Sequence, residues 1–267
     1  MTRPSASTSL VWIVVSLLLG ETALAADPPA QAEASDKKAA TTRVAVYGDK
    51  GTGSSVQVLL GALRSSPDLD ADRITAAEIR EGKLSGYDVI LHPGGGARVQ
   101  GNTLGDEGRE KVRQFVRNGG GYVGICAGAY LATGEVDAYL GILDADVVDF
   151  EHWARGKGEV EISLTPQGRQ LLGADADRLK IEYAQGPLLA PAGKADLPDY
   201  EPLAKFETEI ALKGAPRGVM VGTSAIVTGR YGEGRIICFS PHPEKTKGLR
   251  GFVQRGALWA AGRQPKP

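Results

Sequence analysis

The sequence predicts an α/β protein whose first half forms a parallel sheet covered by helices and whose second half is rich in strands. Two observations support this prediction. Short apolar runs alternate with amphipathic segments between residues 43 and 125, which is the pattern of β-loop-α units with helices on both faces of the sheet. After residue 150, strand-like runs separated by turn formers take over. The balance of 42% hydrophobic and 24% charged residues is that of a globular chain.

The first 25 residues predict a cleavable secretory signal. Arg3 precedes an apolar core from Leu10 to Leu19, and Ala23-Leu24-Ala25 follows. An apolar core of about ten residues is well short of the ~20 that a spanning helix needs, so an uncleaved anchor is the less favoured alternative. We expect cleavage after Ala25, a periplasmic or secreted protein, and no stable membrane insertion afterwards. Residues 26–42 are rich in Ala, Pro and charge, which predicts a disordered linker.

The folded domain is expected over residues 43–262, and its first half contains three β-loop-α units and a fourth strand. The predicted strands are Arg43 to Tyr47, Arg73 to Ala76, Tyr87 to Leu91 and Tyr122 to Ile125, and the predicted helices are Ser54 to Ser65, residues 77 to 84 and Asp106 to Arg117. Reactive groups in such sheets gather beyond the carboxyl ends of the strands. Loops 48–53, 92–102 and 126–130 lie there, so we expect them to meet at one crevice.

The second half is predicted to add strands to the sheet and to close with a helix. The predicted strands are Glu159 to Leu164, Leu179 to Tyr183, Leu203 to Phe206, Ala225 to Arg230 and Arg235 to Phe239. Tyr231-Gly232-Glu233-Gly234 predicts a hairpin between the last two. The closing helix is expected from about Gly251 to Ala260.

Cys126 is the first candidate for chemistry. It lies in GGGYVGICAGAYLA, residues 119 to 132, between a β-prone run and a run that could be helical. The pattern G-x-C-x-G predicts a sharp strand-to-helix turn, which projects the thiol from the sheet at the positive end of a helix. A thiol in such a place is a candidate nucleophile. The alternative is a small buried cysteine at a strand end.

His242 and Glu244 are the candidate partners of the cysteine. They lie in Ser240-Pro241-His242-Pro243-Glu244, after an apolar strand, and the prolines favour an extended segment. Side chains two residues apart then face the same way, so the carboxylate can orient the imidazole toward Cys126, as in a catalytic triad. His92 is interpreted as a structural or pocket-edge residue. Three histidines without further ligands at suitable spacing predict that there is no metal site.

The backbone around these residues offers donors for an oxyanion. The amide of Ala127 follows the nucleophile, and the loop of Gly94, Gly95 and Gly96 could supply a second donor. A flexible loop after a strand is the alternative interpretation of these glycines. Residues that could line the crevice are Tyr130, His152, Trp153, Tyr183 and Gln185, and each of them could equally be ordinary packing.

Composition and local motifs disfavour several other functions. The formal net charge of -1 does not indicate a nucleic-acid or anionic-membrane partner. The loop Asp49 to Ser54 has neither the Walker lysine nor full dinucleotide spacing, so no nucleotide cofactor is expected. Two cysteines do not make a disulfide scaffold. Cys238 is explained by burial in its strand, although a bond to Cys126 stays an open alternative.

The order of motifs VYGDKGTGSS, HPGGGARVQG, GGGYVGICAGAYLA, YAQGP and SPHPE resembles the N-terminal domain of biotin-protein ligases, within the class I glutamine amidotransferase superfamily. The resemblance spans residues 43 to about 260. It implies a flavodoxin-like three-layer sandwich with a mostly parallel central sheet. It also implies that Cys126 is the nucleophile, His242 the base and Glu244 its orienter. Glutamine-using members usually carry a glutamine shortly after the nucleophile, where this sequence has Ala129-Tyr130.

These observations predict an exported cysteine-dependent hydrolase or amidase that acts on a small amide, ester or peptide. The alternative is a non-catalytic module that keeps the fold and binds a small molecule or a protein. We expect no biotin-ligase activity, because the sequence has no room for a biotin-activating domain. The sequence leaves the substrate and the oligomeric state open.

Overall fold

The computed structural model describes residues 41–264, which form one mixed α/β unit. Its elements are β1 (Thr42–Tyr47), α1 (Ser55–Arg64), β2 (Leu69–Ile74), α2 (Ala76–Arg80), β3 (Val89–His92), α3 (Ala97–Arg117), β4 (Gly121–Ile125), α4 (Ala127–Ala132), β5 (Ala145–Val148), β6 (Lys157–Leu164), α5 (Pro166–Leu172), β7 (Arg178–Ala184), β8 (Leu188–Pro191), β9 (Glu201–Phe206), β10 (Ser224–Tyr231), β11 (Gly234–Phe239) and α6 (Arg250–Ala260). The predicted signal peptide and nearly all of the predicted linker lie outside the described residues. Thr42, the last residue of that linker, begins β1.

The central sheet has the strand order β2-β1-β3-β4-β11-β10-β9-β6-β7, with β8 pairing to β10 and β5 to β8. Pairing is parallel from β2 to β11 and antiparallel beyond β11. The sheet is therefore partly parallel, whereas a mostly parallel sheet was expected. The predicted hairpin is the reason, since a tight turn between β10 and β11 can join only antiparallel neighbours.

The parallel part of the sheet is buried on both faces. In β1, Val44 and Val46 belong to one apolar cluster and Ala45 and Tyr47 to another, as expected when alternate side chains point to opposite faces. The first cluster contains buried residues of α1, α5 and α6. The second contains those of α2, α3 and α4. Helices therefore cover both faces.

Some predicted boundaries differ from the structure. The second strand ends at Ile74, not Ala76, because Thr75 caps α2: its hydroxyl accepts from the Glu78 amide, and the Glu78 carboxylate accepts from the Thr75 amide. Helix α3 begins at Ala97 instead of Asp106, with a break at Gly105, whose φ is 68°. Strands β5 and β8 and helix α5 were not predicted from the sequence.

The sheet order brings three strand ends together. Strands β3, β4 and β11 are adjacent and parallel, so their carboxyl ends lie at one edge of the sheet. The segments that leave this edge are 93–96, 126–127 and 240–244. Between residues 41 and 264, no helix combines the length and the apolar character needed to cross a membrane.

Candidate active site

Cys126 occupies a strained turn between β4 and α4. Its φ is 51° and its ψ is -100°, a conformation that costs a residue with a side chain about 1–3 kcal/mol. The turn is tight: a Cβ at Gly128 would lie 2.0 Å from the His92 carbonyl oxygen, and one at Gly124 would lie 2.6 Å from the Gly128 carbonyl oxygen. The Cys126 amide donates to the Phe239 carbonyl at 2.8 Å. The motif G-x-C-x-G therefore needs both glycines for steric reasons.

His242 and Glu244 form a buried pair. The ring Nδ1 and the Glu244 Oε1 are 2.7 Å apart, and the two residues are 2% and 0% exposed. The sequence predicted an extended segment through Glu244, but the structure has a turn after His242. In this turn the Lys245 amide donates to the His242 carbonyl at 3.1 Å. The carboxylate therefore reaches the ring across a turn.

The His242 ring faces Cys126. A Cβ at Gly94 would lie 2.7 Å from the His242 Cε1 and 3.5 Å from the Cys126 Cβ, so both side chains converge on one point. Burial alone lowers the pKa of His242, but hydrogen bonding and charge interactions with Cys126 and Glu244 outweigh it and raise that pKa to about 9. Glu244 occupies Nδ1, so Nε2 is the nitrogen left for the sulfur. The Cys126 Sγ also donates to the Ala184 carbonyl at 3.5 Å.

The glycine loop after β3 packs against loop 48–53. The Gly53 amide donates to the Gly94 carbonyl at 3.0 Å, and the Gly96 amide donates to the Gly51 carbonyl at 2.8 Å. These two bonds flank an antiparallel bridge between Thr52 and Gly95, which turns the Gly95 amide away from loop 48–53. Of the two glycines predicted as oxyanion donors, Gly96 has its amide already bonded and is not available, whereas Gly95 lies beside Cys126 on the same cavity.

A buried network holds this glycine loop. Gln100 accepts from His92 Nδ1 at 3.0 Å, and its amide nitrogen donates to the Pro93 carbonyl at 2.9 Å and the Gly51 carbonyl at 3.3 Å. The His92 ring stacks between Tyr47 and Tyr122, at centroid distances of 4.8 and 5.7 Å. Burial lowers the pKa of His92 to about 4. His92 is therefore a neutral structural residue beneath the site.

A cavity of about 280 Å³ opens beside Cys126. Its lining residues are Gly95, Gly96, Ala97, Arg98, Val99, Cys126, Tyr130, Tyr139, Phe150, Trp153, Ala184 and Gln185. Three of the predicted crevice residues, Tyr130, Trp153 and Gln185, are among them. Gln185 has a positive φ of 66°, so a second strained residue lies close to Cys126.

Two predicted crevice residues do not line the cavity. Tyr183 is fully buried, donates to the Gly186 carbonyl at 2.9 Å and packs edge-on against Phe206. His152 is not among the lining residues, and its Nδ1 lies 2.5 Å from Asp149 Oδ1. Structurally, these two side chains belong to the packing around the site.

Asp149 holds the conformation of segment 149–155, which contributes Phe150 and Trp153 to the cavity lining. It has a positive φ of 56° and pairs with both His152 and the buried Arg155. This arrangement fixes the short turn that carries Phe150 and Trp153. Phe150 packs edge-on against Tyr130 at a centroid distance of 6.2 Å.

Arg98, Tyr139 and Phe150 also line the cavity, and none of them was predicted from the sequence. Arg98 lies in HPGGGARVQG, a loop already chosen for its glycines, so its position there was the available clue. Tyr139 and Phe150 follow the nucleophile by 13 and 24 residues in irregular segments. No local pattern marks them.

Cys126 and Cys238 are both free and buried, so this structure contains no disulfide between them. Burial raises the pKa of the Cys238 thiol, as is usual for a packing cysteine. In the part of the chain that the structure describes, no group of three or more His, Cys, Asp or Glu side chains is placed to hold a metal ion.

Comparison with known families identifies the first part of the chain. Residues 42–151 match the family model of the biotin-protein ligase N-terminal domain, which confirms the resemblance that the motifs indicate. The matched segment includes Cys126 and the glycine loop and stops before His242 and Glu244. The search of curated proteins gives no match.

Solved structures show the same fold. The chain is similar to a ThuA-like protein from Parabacteroides merdae (15% identity, TM-score 0.59, 85% of this chain and 92% of that one). It is also similar to PurLQS from Thermotoga maritima (15%, 0.58, 83% and 97%) and to a cytoplasmic protein from Salmonella typhimurium LT2 (17%, 0.51, 83% and 98%). At this level of identity, the comparison shows a fold that the chain shares with a ThuA-like protein and with PurLQS. Within this fold, residues 42–151 match the biotin-protein ligase N-terminal family.

Proposed function

We propose that this protein is a cysteine-dependent hydrolase or amidase that acts on a small amide, ester or peptide. The observation that carries the proposal is geometric: the buried His242–Glu244 pair and the Cys126 side chain converge on one point next to Gly94. Interactions with Cys126 and Glu244 raise the pKa of His242 to about 9. A ring with that pKa is an imidazolium at neutral pH, and an adjacent cation favours the thiolate, which is the nucleophilic form of cysteine.

The reaction follows from this arrangement. The Cys126 sulfur forms a bond to the carbonyl carbon, and the carbonyl electrons move to the oxygen. His242 gives its proton to the leaving amine or alcohol as the carbon–heteroatom bond breaks. Water then attacks the thioester carbon while neutral His242 accepts a proton from that water. The carbon–sulfur bond breaks, the Cys126 thiolate leaves, the carboxylic acid is released, and the imidazolium is restored.

The amides of Ala127 and Gly95 are the oxyanion donors in this proposal. Ala127 follows the nucleophile at the first position of α4, and Gly95 turns its amide away from loop 48–53. Neither amide has a hydrogen-bond partner among residues 41–264. Tyr130 and Gln185 line the cavity as substrate contacts.

The remaining parts of the proposal concern architecture and location. Helices on both faces of the parallel strands support a flavodoxin-like three-layer arrangement for this part of the fold. The apolar core and Ala-Leu-Ala sequence near the N-terminus support export to the periplasm or beyond, with cleavage after Ala25. The partner is a small-molecule or peptide substrate, without nucleic acid.

Acylation by p-nitrophenyl acetate tests the proposed chemistry. We expect a burst of nitrophenol and an acetyl adduct on Cys126, located by peptide mass spectrometry. Both should be lost in Cys126→Ser and slowed at least about tenfold in His242→Asn, since general acid–base catalysis contributes 10²- to 10⁴-fold. Cys238 is fully buried and serves as the internal control thiol.

The non-catalytic binding module makes the opposite prediction. In that case the wild-type protein would give no burst, and any acetyl adduct would form at the same rate in wild-type and His242→Asn. Circular dichroism of each variant separates a lost reaction from a lost fold.

A further inference from the structure

The cavity beside Cys126 has a one-sided charge. Apart from the Cys126 sulfur, which is the proposed reacting group, Arg98 is the only one of the twelve lining residues that carries a charge at neutral pH, and neither aspartate nor glutamate is among them. The polar side chains that line the cavity besides Arg98 and Cys126 include Tyr130, Tyr139, Trp153 and Gln185. A cavity lined by a guanidinium and by no carboxylate favours an anionic ligand.

Arg98 lacks the partners that other arginines of this region have. Arg80 donates to the Thr103 and Leu104 carbonyls, Arg109 pairs with Asp106, and Arg113 donates to the Leu140 carbonyl. Arg98 makes no hydrogen bond or ion pair with residues 41–264. Its charge acts on Tyr139: burial raises the pKa of that hydroxyl, and Arg98 opposes the shift. The guanidinium is therefore free to bind a ligand in the cavity.

The rest of the cavity is aromatic. Tyr130 and Phe150 line it and pack edge-on against each other, and Trp153, another lining residue, is 52% exposed. Val99, on the same turn of α3 as Arg98, is 49% exposed. Such walls favour an apolar body between the reacting group and the charged end of a ligand.

We infer that the substrate is a small amide or ester with an apolar body and a carboxylate at the end away from the reacting carbonyl. Cys126 takes the carbonyl, the aromatic wall takes the body, and Arg98 binds the carboxylate. This inference rests on the proposed function for the role of Cys126 and adds the charge of the substrate. Arginine suits this task because its planar guanidinium can bind both oxygens of a carboxylate.

Iodoacetate and iodoacetamide test the charge preference without the natural substrate. The two reagents alkylate the same sulfur and differ mainly in the carboxylate, so the ratio of their rates at Cys126 measures charge selection. We expect Arg98→Gln to lower the iodoacetate/iodoacetamide ratio by about three- to fivefold, the upper range for one exposed charge pair. Higher salt should lower the wild-type ratio toward that of the variant.

Arg230→Gln is the matched control, because Arg230 is an exposed arginine on β10, outside the cavity. It should leave the ratio unchanged. An equal ratio in wild-type and Arg98→Gln would overturn the inference, while fast Cys126 alkylation that depends on His242 would leave the proposed function standing. If neither reagent alkylates Cys126 faster than the buried Cys238, the proposed function fails, and this inference with it.

Discussion

Replacing Glu244 by glutamine should lower the pKa of His242 by about 1 to 2 units. Glu244 is fully buried and accepts from Nδ1 at 2.7 Å, and charge-assisted hydrogen bonds contribute about 1.5–3 kcal/mol. One pKa unit corresponds to about 1.4 kcal/mol, so the variant should titrate about 1 to 2 units below the wild-type value of about 9. Glutamine keeps the shape and an acceptor oxygen and removes only the charge.

NMR titration of the histidine ring carbons measures this shift directly. The chain has only three histidines, so His92→Asn and His152→Asn suffice to assign the spectrum. Glu182→Gln is the matched control: its backbone carbonyl accepts from the His242 amide at 2.8 Å, while its carboxylate is not among the groups that shift the His242 pKa. A His242 pKa that stays within a few tenths of a unit in Glu244→Gln would refute the reasoning.

Three further predictions concern stability. Gly128→Ala should destabilise the fold by about 2 kcal/mol or more in urea unfolding, because its Cβ would lie 2.0 Å from the His92 carbonyl oxygen. The control is Gly61→Ala in α1, whose Cβ would meet no atom within 4 Å and which should stabilise the fold by about 0.5–1 kcal/mol. Equal effects of the two substitutions would contradict this prediction. Gln100→Leu should cost about 2–3 kcal/mol, since the Pro93 and Gly51 carbonyls and the His92 ring all lose a partner; a cost below about 0.5 kcal/mol would show that the network does not hold the loop. His92 and His242 should give the free energy of unfolding a maximum near pH 6.5. The pKa of His92 is lowered in the folded state, so stability is lost as the pH falls from 6.5 to about 4. The pKa of His242 is raised in the folded state, so stability is lost as the pH rises from 6.5 to about 9. His92→Asn should flatten the acid side of that curve alone, and an unchanged acid side would argue against its cause.

The parts of the fold that the sequence predicted best are the strands buried on both faces. Strands such as β4 and β11 are continuous apolar runs bounded by turn formers, so their identity is a local property. Strands β5 and β8 have only four residues each; β5 is defined by pairing with β8, and β8 by pairing with β5 and β10. Because that pairing joins residues far apart in the chain, no local pattern indicates it.

The same distinction applies to the candidate site. Cys126, His242 and Glu244 could be chosen from the sequence because each lies in a motif at the end of an apolar strand. The sequence could not show which backbone amides are free to bind an oxyanion. The Gly96 amide is bonded to the Gly51 carbonyl because loop 48–53 packs against the glycine loop. Tyr183 was chosen for its aromatic ring, but the ring faces Phe206 in the core. Which side of a strand faces the cavity depends on the sheet order.

The pH dependence of Cys126 alkylation by iodoacetamide tests most directly whether the sulfur and the imidazole act as one unit. The wild-type protein should stay reactive well below the pKa of an ordinary thiol, about 8.5, and His242→Asn should return the profile to that of an ordinary thiol. Cys126→Ser gives the background from Cys238. A wild-type profile that already follows an ordinary thiol and does not change in His242→Asn would contradict the account.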